Sequence, residues 1–198
     1  FFTTSEVANA NLRRAGVADE RIFFVGNTMI DTLLANRAQF RAPAFWADAG
    51  LQQGQYFVMT LHRPANVDDS EGFAKLLRAV GEAVRGSPVV FPVHPRTAKT
   101  LAALPDKPAC LLLVDPQPYL EFNYLVQHAR GVITDSGGVT EETTVMGVPC
   151  VTLRDTTERP ETVSIGTNEL IGTDPAALKP ALDRLFDGRW KQGGVPEK

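Results

Sequence analysis

Residues 131–161 read GVITDSGGVTEETTVMGVPCVTLRDTTERPE, and this stretch decides the fold class of the chain. A short apolar run, Val132 to Thr134, ends at the turn Asp135-Ser136-Gly137-Gly138. A helix-like segment follows, and Gly147-Val148-Pro149 then leads into a second apolar run, Cys150 to Leu153. The pattern predicts strand, glycine turn, helix and strand, a unit whose helix N-terminus presents unpaired backbone N–H groups to an anion.

The glycine turn is a candidate phosphate site. Gly137 and Gly138 lack a Cβ, which lets the backbone approach a phosphate closely. Glu142, one turn into the predicted helix, could accept hydrogen bonds from a ribose diol. A Ser-Gly-Gly sequence after a strand is often only a tight turn, but Glu142 and the polar loop 154–159 together favour a phosphate or nucleotide site.

Strands and helices alternate along the rest of the chain. The apolar runs predict strands at 21–26, 56–61, 88–93 and 109–114, and helices at 6–15, 29–41, 71–85, 97–104, 118–128 and 178–185. This alternation predicts an α/β fold with a doubly wound parallel sheet, covered by helices on both faces.

Several polar loops follow the predicted strands. In a parallel sheet the carboxyl ends of the strands lie on one edge, so these loops should converge there. They are 62–70, 94–97, 115–119, 135–138 and 154–160. His62 and His94 fall in two of them, whereas His128 lies late in a helix, where a structural role is favoured. A lone histidine at a strand end is more often structural than catalytic, but the neighbouring Arg63 and the shared edge favour a functional role for His62.

The composition excludes several classes of protein. The chain has 198 residues, 43% of them hydrophobic, which suits one domain with a core. A net charge of −3 without a basic block argues against nucleic-acid or membrane-surface binding. No apolar run approaches the roughly 18 residues that span a bilayer. Cys110 and Cys150 lie in apolar runs without metal-ligand spacing, so we expect buried thiols in a cytoplasmic protein that holds no metal.

Several segments resemble the signature segments of the non-hydrolysing UDP-N-acetylglucosamine 2-epimerases. These segments are DSGGVTEE (135–142), GVPCVTLRDTTERPE (147–161) and GTNELIGTD (166–174). Upstream segments agree in order and spacing, namely RIFFVGNTMIDTLL (21–34), VMTLHRPANVDD (58–69), FPVHPRT (91–97) and VDPQPYLEF (114–122). The resemblance covers nearly the whole chain, and RDTTERPE is its most specific part.

The resemblance implies a two-domain, glycosyltransferase-B-type architecture of two Rossmann-like halves, with the nucleotide sugar between them. This chain is then expected to be the C-terminal half, with the first domain missing. Residues 1–40 would form the end of the first domain and the interdomain connection, and 41–187 the nucleotide-binding Rossmann-like domain. Residues 188–198 would be a truncated tail, which we expect to fray.

The resemblance also implies roles for individual residues. His62 matches a histidine near the sugar–diphosphate junction and is the expected catalytic residue. The expected substrate-binding residues are Gln117 and Phe122 for the uracil (Phe122 through backbone groups), Ser136, Gly137 and Gly138 for phosphate, Glu142 for the ribose, and Arg159 in the RDTTERPE loop.

A second binding site is implied by some bacterial members, in which another UDP-N-acetylglucosamine binds as an activator. Arg63 and His94 match contacts to that regulator. The chain departs from the common pattern nearby, because Ala65 stands where Glu is usual and Arg96 where Asn is common. Activation by a second substrate molecule is therefore left open.

The implied reaction interconverts UDP-N-acetylglucosamine and UDP-N-acetylmannosamine, for use in cell-surface polysaccharide synthesis. UDP is eliminated to give a glycal and is then added back, with the C2 proton returned on the other face. The carboxylates that exchange this proton lie mostly in the first domain of such enzymes. We therefore expect this chain to bind UDP and UDP-N-acetylglucosamine without turnover and without a cofactor. A homodimer is left open.

Three other functions remain open. A glycosyltransferase of the same architecture would share the strand–turn–helix unit and the ribose-binding Glu, but RDTTERPE is not a general feature of nucleotide-sugar enzymes. A hydrolysing epimerase would release free N-acetylmannosamine with UDP, and the sequence separates it poorly from the non-hydrolysing kind. A non-catalytic UDP-binding module is the third.

Overall fold

The computed structural model describes residues 1–195. Its strands are β1 (Phe2–Thr3), β2 (Phe23–Phe24), β3 (Phe57–Thr60), β4 (Val89–Pro92), β5 (Leu111–Val114), β6 (Gly131–Thr134), β7 (Cys150–Thr152) and β8 (Asn168–Leu170). Its helices are α1 (Glu6–Arg14), α2 (Thr28–Asn36), α3 (Pro64–Val67), α4 (Ser70–Ala83), α5 (Pro95–Ala103), α6 (Tyr119–His128), α7 (Gly137–Met146), α8 (Pro160–Ser164) and α9 (Leu178–Phe186).

The main sheet has six parallel strands in the order β5-β4-β3-β6-β7-β8. The chain runs outward from β3 to β5 and then returns to the centre as β6, which pairs with β3 from Phe57↔Gly131 to Thr60↔Thr134. This is the strand order of a doubly wound Rossmann fold, with its switch point between β3 and β6. The predicted fold class is confirmed.

The core lies on both faces of this sheet because successive side chains of a buried strand point to opposite faces. In β3, Phe57 and Met59 join a cluster that α4, α5 and α9 complete. Val58 and the preceding Tyr56 join a second cluster on the other face, against α6 and α7. All four side chains are fully buried, so both layers of helices are anchored to the same central strand.

A separate two-stranded sheet lies near the start of the chain. β1 and β2 pair in parallel, with Phe2 opposite Phe23, and both rings are largely exposed. The strand predicted at 21–26 is thus shorter, and it does not join the main sheet. The division of the chain near residue 40 stays a prediction.

Four short elements were missed by the sequence analysis, and one helix was predicted too long. The helix predicted at 29–41 ends at Asn36 and is followed by a single 3-10 turn, Arg37–Gln39. The short elements β1, α3, α8 and β8 were not predicted. β8 lies at the sheet edge. Its buried residue Asn168 is polar and accepts a hydrogen bond from the Thr152 hydroxyl (2.7 Å). The sequence of the strand therefore has no continuous apolar run.

The tail differs from expectation as far as the structure describes it. The indole Nε1 of Trp190 donates to the carbonyl of Thr167 (2.9 Å), and the N–H of Gly194 donates to the carbonyl of Ile165 (2.8 Å). Residues 189–194 are therefore held on the domain rather than frayed. Residues 196–198 of the predicted tail lie outside the described residues.

Within residues 1–195, no helix is both long enough and apolar enough to cross a membrane.

Candidate functional site

In a doubly wound sheet a crevice forms at the carboxyl edge beside the switch point, which lies between β3 and β6 here. The loop after β3 begins with His62 and Arg63, and the turn after β6 is Asp135 to Gly138. These two segments are distant in sequence, but their strands are direct neighbours. The crevice therefore brings the predicted catalytic histidine next to the predicted phosphate turn.

Asp135 joins the two sides of this crevice. Its carboxylate is completely buried and accepts hydrogen bonds from the backbone N–H groups of His62 (3.1 and 3.2 Å) and Arg63 (2.9 Å). It also accepts from the side-chain amide of Asn66 (3.1 Å), which donates in addition to the carbonyl of Leu153. One buried carboxylate thus fixes the first turn of the loop after β3.

The same carboxylate orients the His62 ring. Nδ1 of His62 lies 3.0 Å from Oδ1 of Asp135. A carboxylate can only accept, so this contact favours the tautomer with the proton on Nδ1 and leaves Nε2 for another partner. The ring is 39% exposed, and its centroid lies 6.0 Å from that of His94.

His94 is fixed by its own loop. Its Nδ1 accepts from the backbone N–H of Arg96 (3.2 Å) and so caps α5. The side chain of Arg96 forms an exposed ion pair with Asp68 (3.2 Å), which belongs to the loop after β3. The structure thus brings His62 and His94 together, but the regulatory role of Arg63 and His94 stays a prediction.

The N-terminus of α7 has no side-chain cap of its own. Ser136 is the N-cap residue, but its side chain makes no capping hydrogen bond, and its N–H donates to Oγ1 of Thr134 (3.0 Å). A Cβ on Gly137 would meet the end of the flexible Glu158 side chain, so a larger residue there would displace that carboxylate. At Gly138, a Cβ would lie 3.0 Å from the end of Met29. The missing side chain of Gly137 thus leaves room for the Glu158 carboxylate, and that of Gly138 leaves room for Met29 of α2.

Glu158 places a carboxylate at this helix N-terminus. One of its oxygens lies 2.7 Å from Nη1 of Arg154, and the other lies 3.8 Å from Nη2 of Arg63. Partial burial alone would raise the pKa of Glu158, but a backbone hydrogen bond and the two arginines hold it below its ordinary value. A negative group is thus stabilised where the positive end of the helix and two guanidinium groups converge.

Glu142 lies on the side of α7 that faces α6. Its side chain is 7% exposed, and burial, followed by the charge of Glu141, raises the pKa of Glu142 to about 7. A hydrogen bond with Asn123 opposes this shift. The carboxyl is therefore buried next to the helix that carries Phe122.

The two residues predicted to contact uracil are Gln117, just before α6, and Phe122, in the first turn of α6. Nε2 of Gln117 donates to the carbonyl of Asp115 (2.7 Å), beside an open groove of about 440 Å³ that Phe45 also lines. The N–H of Phe122 donates to the carbonyl of Pro118 (2.8 Å) within the helix, so this N–H is not open to a ligand here. Both uracil contacts stay predictions.

Arg159 lies at the other side of α7, just before α8. Its Nε is 3.1 Å from Oε2 of the buried Glu141, and its side chain is 31% exposed. Its backbone N–H donates to Oγ1 of Thr157 (3.0 Å). The predicted site residues therefore surround α7, with Arg159 and Glu142 on different sides and the glycine turn at its N-terminus.

Four charged residues of this site were missed by the sequence analysis. They are Asp135, Glu141, Arg154 and Glu158. All four lie within residues 131–161, the stretch on which the sequence analysis opened. The sequence does not show, however, which side chains of its separate loops form pairs. Only Asp135 carried a usable signal, because an acidic residue directly after a buried strand has to find donors.

Comparison with known proteins gives a consistent result. The sequence model of the UDP-N-acetylglucosamine 2-epimerase family matches residues 1–195. The chain belongs to this family. The 2-epimerase of Methanocaldococcus jannaschii is 37% identical over 96% of this chain and 55% of that protein. The Escherichia coli K12 enzyme is 35% identical over 93% of this chain and 52% of that protein.

Solved structures of UDP-N-acetylglucosamine 2-epimerases share the fold. The Methanocaldococcus jannaschii enzyme in complex with UDP-GlcNAc and UDP has a TM-score of 0.83 at 34% identity, over 98% of this chain and 57% of that chain. The Neisseria meningitidis enzyme bound to UDP-GlcNAc has a TM-score of 0.79 at 26% identity, over 98% of this chain and 56% of that one.

A more distant likeness extends the fold comparison. An Escherichia coli heptosyltransferase solved with ADP has a TM-score of 0.53 at 14% identity, over 79% of this chain and 48% of that chain, which shows the fold alone. The architecture agrees with the C-terminal half of a glycosyltransferase-B-like fold. The chain of this 2-epimerase family member spans about half the length of the curated relatives that it matches.

We predict that Asp135→Ala destabilises the protein strongly. The substitution leaves two backbone N–H groups and one side-chain amide without their buried acceptor, which should lower the free energy of unfolding by about 3 kcal/mol or more. Urea denaturation measures this difference. Asp115→Ala is the matched control, because Asp115 also follows a strand but is exposed; its effect should stay within about 0.5 kcal/mol. Equal effects of the two variants would contradict the central role of Asp135.

Proposed function

We propose that this chain is the UDP-binding half of a non-hydrolysing UDP-N-acetylglucosamine 2-epimerase. The observation that carries the proposal is the meeting of an uncapped helix N-terminus, two arginines and an oriented histidine at the switch point of the sheet. Such a site suits a diphosphate, because backbone N–H groups and guanidinium groups both stabilise its charge. Membership of the 2-epimerase family supports the choice of UDP-N-acetylglucosamine as the substrate.

The reaction determines what the site has to do. C2 of the sugar has no neighbouring carbonyl to acidify its proton, so elimination is the reasonable route. The C2 proton is removed and the C1–O bond breaks, which releases UDP and leaves a C1=C2 double bond. UDP then adds back to C1, and a proton is delivered to the opposite face of C2. Both steps require a site that stabilises the departing diphosphate.

Each proposed binding residue has a place in this reaction. The glycine turn with Ser136 would hold the phosphates at the N-terminus of α7, and Arg159 would pair with them from the side. His62, held through Nδ1, could donate from its other ring nitrogen to the leaving oxygen when it is protonated. Glu142 would accept hydrogen bonds from the ribose. Glu158 has to leave the helix N-terminus when a phosphate binds there.

The groups that exchange the C2 proton are proposed to lie outside this chain. Relatives of about twice the length support this division of the site. We further propose a cytoplasmic enzyme that requires no cofactor, and we leave its homodimerisation as a prediction. The likeness to a heptosyltransferase concerns the fold alone and does not favour glycosyl transfer.

Calorimetry with UDP tests the proposed site directly. We expect binding in the micromolar to millimolar range, about −8 to −4 kcal/mol, because half of the substrate cleft is present. Glu142→Ala should weaken it by about 1–3 kcal/mol through the loss of hydrogen bonds to a charged group. Absence of UDP binding would refute the proposed function.

The pH dependence of uridine binding tests the proposed ribose contact of Glu142 separately from the phosphate contacts. The pKa of about 7 means that this carboxyl is mostly protonated near pH 6 and mostly ionised near pH 8. Ribose hydroxyls donate more strongly to the ionised form, so uridine affinity should rise with pH by up to about tenfold over this range. Uridine is used because it has no phosphate that titrates. Glu142→Gln should abolish the rise, and a flat profile in the unmodified protein would contradict the assignment.

His62→Ala in the full-length parent protein should lower turnover far more than it weakens UDP binding. The reason is that His62 is proposed to act at bond cleavage rather than at nucleotide capture. Steady-state kinetics with a separate measurement of the UDP dissociation constant checks this split. His128→Gln is a control, since His128 lies in α6 and contacts the carbonyl of Tyr124. Unchanged turnover in His62→Ala would leave the histidine with a structural role.

We predict that this chain alone does not epimerise UDP-N-acetylglucosamine. A cleft orients its substrate and excludes water only when both walls are present. The test is incubation in deuterated water followed by NMR of C2, with the full-length parent protein as the positive control. Deuterium at C2 at a rate typical of enzymes would show that the proton-exchanging groups lie within this chain.

A further inference from the structure

We propose that Glu141 is a positioning residue, which orients the guanidinium group of Arg159 toward the substrate diphosphate and is itself held by Asn27. This role deepens the proposed function and rests on it, since Arg159 is proposed there to bind the diphosphate. Glu141 does not contact the nucleotide in this proposal. It acts through Arg159.

The contact between Glu141 and Arg159 selects one orientation of the guanidinium group. Oε2 of Glu141 lies 3.1 Å from Nε of Arg159, and the Glu141 side chain is 7% exposed. The N–H direction is not aligned for a linear hydrogen bond, so the contact is an ion pair at close range. Within residues 1–195, no hydrogen bond or ion pair engages the two terminal nitrogens of Arg159. The inner nitrogen is held, and the fork that suits a phosphate is left available.

Asn27 holds the other oxygen of Glu141. Nδ2 of Asn27 donates to Oε1 of Glu141 at 2.6 Å. Oδ1 of the same amide accepts from the backbone N–H groups of Met29 (3.1 Å) and Ile30 (3.4 Å), and so caps α2. These partners fix which end of the amide faces the carboxylate. The start of α2 thereby determines where Glu141 can lie.

The charge balance shows why this pair has to stay together. Burial raises the pKa of Glu141, and the neighbouring carboxylate of Glu161 raises it further, while Arg159 and Asn27 oppose the shift. Separation from Arg159 would therefore leave a buried carboxylate beside a second one. Arg159 is drawn inward for the same reason. A long side chain held in this way loses less conformational freedom when a ligand binds.

A purely structural ion pair would have a different consequence. It would stabilise the fold and alter the affinities for all ligands of the site alike. Positioning of Arg159 predicts a selective effect, because only ligands with phosphates contact that side chain. UDP and uridine share the base and the ribose, so their comparison separates the two roles.

The experiment measures UDP and uridine affinities in a double-mutant cycle of this protein. Glu141→Gln keeps the shape and an acceptor for Asn27, but removes the charge that faces Arg159. We expect UDP affinity to fall about three- to tenfold, which corresponds to the cost of ordering one long side chain, with uridine affinity changed less than about twofold. The double variant Glu141→Gln/Arg159→Ala should bind UDP no more weakly than Arg159→Ala alone. Additive losses, or parallel losses for uridine, would overturn the proposal.

Two further variants serve as controls. Glu161→Gln removes a neighbouring charge without an ion pair to Arg159, and it should leave UDP affinity within about twofold. Asn27→Ser keeps an oxygen that caps α2 but loses the amide donor, and UDP affinity should fall by a smaller factor than in Glu141→Gln. Asn27→Ser also tests the proposal if Glu141→Gln does not fold. If Asn27→Ser then shows no selective loss of UDP affinity, the proposal is contradicted.

NMR of the Arg159 Nε–H group provides a readout that needs no ligand. This signal should exchange slowly with water in the unmodified protein and in Glu161→Gln, and faster in Glu141→Gln or Asn27→Ser. Equal exchange rates in all variants would overturn the positioning role, even if UDP does not bind. Failure of UDP binding with the expected exchange pattern would instead refute the proposed function and leave the positioning of Arg159 in place.

Discussion

A single buried carboxylate organises the crevice of this molecule. Asp135 lies directly after β6 and is completely buried, and it accepts hydrogen bonds from two successive N–H groups of the loop after β3. A buried charge of this kind is stable only with several donors, so the loop has to follow the carboxylate. His62 receives its orientation from the same contact. Because Asp135 is also the first residue of the glycine turn, one side chain connects the turn to the histidine.

Helix α7 determines where the other acidic groups of the site lie. Successive residues of a helix are rotated by about 100°, so the adjacent Glu141 and Glu142 face different neighbours. Glu142 faces α6, whereas Glu141 lies between Asn27 and Arg159. The N-terminus of the same helix faces Glu158 and its arginines. Two consecutive acidic residues thus acquire different environments, and their carboxyl groups are suited to different tasks.

Sequence reasoning recovered the parts of the fold that depend on local pattern. The strand–turn–helix unit at 131–146 and the convergence of five loops follow from apolar runs and from the geometry of parallel sheets. β8 was missed because its burial depends on a side-chain hydrogen bond of Asn168 rather than on apolar residues. The pairing of Glu158 with Arg154 and of Glu141 with Arg159 depends on how separate segments pack, which residue order alone does not determine. The resemblance to a family supplied the specific proposed roles, whereas local pattern alone supplied the turn, Glu142 and a functional role for His62.

The position of Glu158 bears directly on the proposed chemistry of the site. Ser136 does not cap α7, so the helix N-terminus and two arginines would otherwise concentrate positive charge without a partner. The Glu158 carboxylate balances this charge and keeps the arginines near the position that a phosphate would occupy. A diphosphate bound as proposed would have to displace it, and this competition would lower the net affinity of the site. Moderate affinity would suit the proposed reaction, in which UDP departs from the sugar and then adds back, because a diphosphate held too tightly would not return to C1.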